Sequence, residues 1–169
     1  MSFLLWLEDT FHWVQESQSL LAYPTVLTLH TFGLAFLVGP SVAINLRILG
    51  IARGLPLAPM EKFYPVMMWG FWINVVTGAL LFAPEATRWT FNPDFILKMF
   101  FVFLGVYLVR LIRLSVLRGR AAHGSETVST GGKLLAASSI AVWIAAIFTG
   151  RMTAYVDSWS KFMSLFKVG

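Results

Sequence analysis

Residues 23–50 read YPTVLTLHTFGLAFLVGPSVAINLRILG, an apolar run with no acid, one histidine (His30) and one arginine (Arg47) near its far end. A helix crosses the hydrocarbon core of a bilayer with about 20 apolar residues, in a range of about 17–25. This run is long enough to cross and to tilt. Three further runs meet the same criterion. They cover about 63–83, closed by Pro84, about 94–117, and about 134–156. Asn92 is placed to cap the third, with Pro93 in its first turn. The pattern predicts an all-α fold: an integral-membrane four-helix bundle, a single transmembrane domain over residues 1–169.

Composition points the same way. The chain is 57% hydrophobic and only 12% charged. Soluble domains carry about 25% charged residues, so half the usual charge is left to cover a surface. Many Trp and Tyr sit near the ends of the apolar runs, as interfacial anchors do. With no cysteine, disulfides, thiolate metal sites, iron–sulfur clusters and cysteine nucleophiles are excluded. The net charge of +5 is not a nucleic-acid footprint, because the basic residues gather in two loops. No nucleic-acid partner is expected.

Ahead of the spans lies SFLLWLEDTFHWVQESQSL. Leu4, Leu7, Phe11 and Val14 recur at helical spacing, which predicts an amphipathic helix over about 3–17 lying on the membrane surface. Acids directly after the first apolar residues, with no basic segment before them, argue against a cleavable signal peptide. The tail DSWSKFMSLFKVG reads as a second interfacial segment. Lys and Arg set orientation. Arg47, Arg53 and Lys62 flank the first loop, and Arg113, Arg118, Arg120 and Lys133 the third. Both loops are expected in the cytoplasm and both termini outside, which in a bacterium is the periplasmic side of the inner membrane.

That topology allows depths to be compared at a rise of about 1.5 Å per residue. His30 falls in the outer half of the bilayer. Thr77 and Gly78 share its level, Asn74 lies one turn deeper, and Met99 to Phe103 and Phe148 to Gly150 match it on the last two spans. Helical spacing puts His30, Gly33, Leu37, Ser41 and Asn45 on one face of the first span. It does the same for Gly70, Asn74, Thr77 and Gly78 on the second. Ser138, Ala141, Ala145 and Thr149 form a small-residue stripe on the fourth. Such stripes let helices approach closely, and their polar members bond across the interface.

An ionisable residue inside a span is by default a functional hypothesis. Three readings of His30 stay open. It ties helices together through Thr77, Asn74 or Thr149. It is a metal ligand to haem b, with Gly33 and Gly78 making room for the macrocycle, Met99 opposite, and Arg151 and Lys98 near the propionates. Or it contacts a small molecule, quinone or lipid together with Asn74. One His with Asn and Thr is a poor copper or zinc set. Arg151 lies where the fourth span reaches the outer surface. Glu8, Asp9, Glu85 or a bound anion are its candidate partners. Asp94 and Lys98 read as a pair at the start of the third helix, and Arg47 as an anchor at the end of the first. No Ser-His-Asp set, phosphate-binding glycine loop or paired inward carboxylate occurs, so a catalytic site is not expected.

The segments WLEDT, YPTVLTLHTFGLAFLVG with NLRILG, MMWGFWINVVTGALLFAPEA, NPDFILK and TGRMTAY together resemble a family of small bacterial membrane proteins known only as a domain of unknown function. The resemblance covers most of the chain and rests on His30, Gly33, Arg47, Gly50, Thr77, Gly78, Leu81, Phe82, Phe95, Lys98, Gly150 and Arg151. It implies the four-helix architecture. In outline that architecture is similar to copper-resistance D-type proteins and four-helix b-type cytochromes. This chain departs from the cytochromes in lacking a second histidine at the depth of His30, and from the copper proteins in lacking dense Met/His clusters. So little of the chain lies outside the apolar runs that its work is expected beside other membrane subunits or further copies of itself. The expected role is an accessory or binding subunit of a redox or photosynthetic assembly. The alternatives are a haem-binding electron carrier and a quinone or small-molecule sensor or carrier.

Overall fold

The computed structural model describes residues 2–15, 21–51, 54–118 and 128–152. They form six helices and no strand. Helix α1 is Ser2–Phe11, followed by a short 3-10 turn, His12–Val14. The long helices are α2 (Ala22–Leu49), α3 (Tyr64–Phe82), α5 (Pro93–Ile112, continuing through a π-helical turn Arg113–Arg118) and α6 (Thr130–Met152). A short α4, Ala86–Thr90, joins α3 to α5. All four long helices are long and apolar enough to cross a membrane. Arg53, Arg120, His123 and the tail from residue 153 lie outside the described residues.

Local chemistry sets the ends. Gly50 closes α2 in the left-handed region (φ 103°), its N–H bonding the Arg47 carbonyl while the Ile51 N–H reaches Leu46. Glycine meets that conformation without a Cβ penalty. Asn92 caps α5, its Oδ1 accepting from the N–H groups of Asp94 at 2.9 Å and Phe95 at 3.2 Å. α6 starts at Thr130, four residues ahead of the expected Leu134, because Ser129 Oγ takes the Gly132 N–H. Near the end of α2, the Arg47 Nε–H donates to the Leu55 carbonyl.

The long helices pack as two antiparallel pairs, α2 with α3 and α5 with α6, joined along a seam between α2 and α6. The α2–α3 contact is backbone on backbone. A Cβ on Gly70 would stand 2.7 Å from both the Gly33 carbonyl oxygen and the Leu37 nitrogen. Across the seam, Trp143 Nε1–H donates to Ser41 Oγ (3.2 Å) and Asn45 Nδ2–H to Ser139 Oγ (2.9 Å). Leu37, Ile44, Ile48, Met67, Val109, Ile112, Ala136, Trp143 and Ala146 are buried around them.

The inward face of α6 differs from the expected stripe. Ser138 and Ala141 are exposed, whereas Ala136, Ser139, Trp143 and Ala146 are buried with Thr149. The helix is turned by one residue because the Trp143 ring lies flat in the space left by Gly105, where a methyl group would meet it at 3.0 Å.

The two ends of the bundle differ. At one, Val14 is 1% exposed under the Ala83–Glu85 turn. There Glu8 Oε1 accepts the Thr87 N–H (2.7 Å) and Gln15 donates to Glu85 (3.0 Å). Leu4, Leu7 and Phe11 are half-buried, while Phe3, Leu5, Trp6 and Trp13 stay exposed. The other, basic end carries Arg47, Lys62, Arg110, Arg113 and Lys133.

Candidate functional site

At the α1 end, His30 of α2 packs against Thr77 and Gly78 of α3. Its Nδ1 lies 2.9 Å from Thr77 Oγ1. The Thr77 hydroxyl is itself 2.6 Å from the Ile73 carbonyl oxygen, four residues back on α3. A hydroxyl has one proton, and the carbonyl takes it. The Thr77 oxygen therefore accepts from His30, which fixes the proton on Nδ1. In the neutral ring Nε2 is then a bare lone pair, with no hydrogen-bond partner among the described residues. Gly78 leaves room for this ring: a Cβ there would stand 3.4 Å from His30 Cε1.

The fourth group of the site is Lys98 of α5. The sequence pairs it with Asp94, but no such ion pair forms. Its half-buried stem lies against α6 instead, with Cε 3.5 Å from where a Cβ on Gly150 would be. Its ammonium stands 6.0 Å from the centre of the Phe95 ring and within Coulombic reach of His30. Among the described residues no hydrogen bond or carboxylate compensates it. Phe95 also stacks on Phe82 at 5.3 Å and is tilted against Trp89 at 6.3 Å. The site thus holds one acceptor and one cationic donor, neither of them hydrogen-bonded to a described residue.

The other expected site residues divide. His30, Thr77 and Gly78 come together. Asn74 does not reach His30; its Nδ2–H donates to the Gly70 carbonyl (3.0 Å) and fills the space beside Gly33. Thr149 Oγ1–H points back along its own helix, 2.8 Å from the Ala145 carbonyl oxygen. Met99 follows Lys98 and so is turned about 100° around α5 from the residue that faces His30. Arg151 is exposed, with no ion-pair partner among the described residues. Of its expected partners, Glu85 is paired with Arg88 at 2.7 Å and Glu8 with Thr87. Lys98, expected near the propionates of a haem or in a pair with Asp94, comes to the site through Gly150 of α6 instead. A charged residue one turn inside a span is the signal that marks it.

These residues do not fit haem b. The glycines meant to open a slot are already covered, Gly33 by Asn74 and Ile73 and Gly78 by the His30 ring itself. His12, in the segment after α1, is tied to the Asp9 carbonyl. Among the described residues no three His, Asp or Glu side chains gather to hold a metal ion.

No protein-family model, no characterised protein and no solved structure matches this chain. A functional reading rests on the site itself.

Proposed function

We propose that this chain is a multi-pass protein of the bacterial inner membrane with both termini on the periplasmic side. It serves as a binding subunit of a larger membrane assembly of redox type, and it holds a quinone or its quinol at His30. The orientation is supported by the basic end, where Arg47, Lys62, Arg110, Arg113 and Lys133 gather, following the bias of cytoplasmic loops toward Lys and Arg.

One observation carries the ligand. The His30 Nε2 lone pair and the Lys98 ammonium, within Coulombic reach of each other, have no hydrogen-bond partner among the described residues. A quinol hydroxyl donates to Nε2, and a quinone carbonyl accepts from Lys98. Ligand sites of this kind are mostly apolar, with a few convergent polar groups fixing orientation. Acceptor-only anions such as carboxylates meet the ammonium but are opposed by the lone pair.

The test is a titration of the protein in lipid nanodiscs with a short-chain benzoquinone and its quinol, read by Trp fluorescence and by the melting temperature. Saturable binding is expected, that of the quinol weakened about tenfold by His30→Ala, since one hydrogen bond to a buried polar ligand group is worth about 1.4 kcal/mol. Absence of saturable binding overturns the reading. So does a reduced-minus-oxidised spectrum with a b-type band that His30→Ala abolishes, which would restore the haem alternative.

A further inference from the structure

A second polar feature lies toward the basic end and owes nothing to His30. Asn45 is 1% exposed, and its Nδ2 donates to Ser139, but its Oδ1 has no hydrogen-bond partner among the described residues. It is the one buried side-chain polar atom among the described residues left in that state. Buried amide oxygens are nearly always paired, with protein or with ordered water. The Asn45 side chain lines a cavity of about 10 Å³ bounded by Ser41, Tyr64, Met67, Val109 and Arg113. Ser41 is already a hydrogen-bond acceptor for Trp143. Arg113 holds Glu61 through Nε at 3.1 Å and lies over the Tyr64 ring at 3.8 Å. α5 opens into its π-helical turn at the same residue.

We propose that this cavity is a hydration site holding a single water molecule, which donates to Asn45 Oδ1. Size selects the occupant, because a cavity of this volume takes about one water. Charge selects it too. Arg113, whose charge is already paired with Glu61, lines the same space, and no carboxylate is among the lining residues to hold a cation, whereas a water satisfies the bare acceptor. The water completes a polar chain from Ser139 of α6 through Asn45 of α2 to the Arg113–Glu61 pair, locking the two helical pairs together at this end.

The sign of one stability change tests this. Val109→Leu adds a methylene to the cavity wall. In a dry cavity it fills a void and raises the melting temperature. In a wet one it expels the water, strands Oδ1 and lowers it, which is the expected result. Because overpacking also lowers stability, a second measurement decides. The chain has three asparagines, Asn45, Asn74 and Asn92. With ¹⁵N-asparagine in lipid bilayers, water-to-protein magnetisation transfer is expected to reach the Asn45 side-chain amide in the wild type. In Val109→Leu it is lost there and kept at Asn92. No transfer to Asn45 in the wild type overturns the proposal whatever the melting temperature does, and so does transfer unchanged by the substitution.

Discussion

Thr77→Val removes one hydroxyl and with it the acceptor that holds the His30 Nδ1–H. The loss is expected to cost about 0.5–1.5 kcal/mol, the net worth of an ordinary intramolecular hydrogen bond, read as a lower melting temperature in detergent. Imidazole ¹⁵N shifts are expected to pass from one tautomer to a mixture of two. An unchanged tautomer would mean that something other than Thr77 sets it. At this scale the sequence was legible where a polar residue recurs at helical spacing with apolar or small neighbours. His30, Gly33, Leu37, Ser41 and Asn45 could be placed on one face of α2 by counting alone, and all but half-buried His30 are buried there. Lys98 was not legible in that way. Its spacing to Asp94 is that of an exposed surface pair, and the glycine that receives its stem belongs to another helix.

Among the elements, α5 depends on the Asn92 cap. Asn92→Ala is expected to cost about 1 kcal/mol, since it releases two N–H donors at the start of the helix. The α2–α3 pair depends on the absence of side chains at Gly33 and Gly70. Gly70→Ala is expected to destabilise by about 1–3 kcal/mol, as overpacking of a close contact does, because the added methyl would meet backbone. Both are read from thermal unfolding in detergent. The α6 face shows where sequence reading of elements stops. A row of small residues signals close approach, but so does one large residue opposite a glycine. Nothing within α6 reveals that Gly105 of α5 awaits Trp143.

For the whole molecule, the absence of native cysteine makes orientation directly measurable. Glu8→Cys is expected to react with an impermeant maleimide added to intact spheroplasts, and Lys62→Cys only after permeabilisation. The reverse pattern would invert the proposed topology. Helix number and the sharp difference in charge between the ends were legible from hydropathy and Lys/Arg placement, because both follow from local composition. The pairing of helices was not, because it depends on which knobs and gaps meet across a distance of many residues.

The seam between α2 and α6 also sets an order of manufacture. A ribosome delivers α2 and α3 together, and their glycine contact needs nothing that comes later. Ser41 and Asn45 must wait, since their partners Trp143 and Ser139 lie in α6, about 100 residues further on. Until then both side chains lack those interhelical bonds. A nascent chain interrupted before residue 130 therefore displays two polar groups that the finished protein hides. Those exposed polar groups distinguish an abandoned product from a completed one.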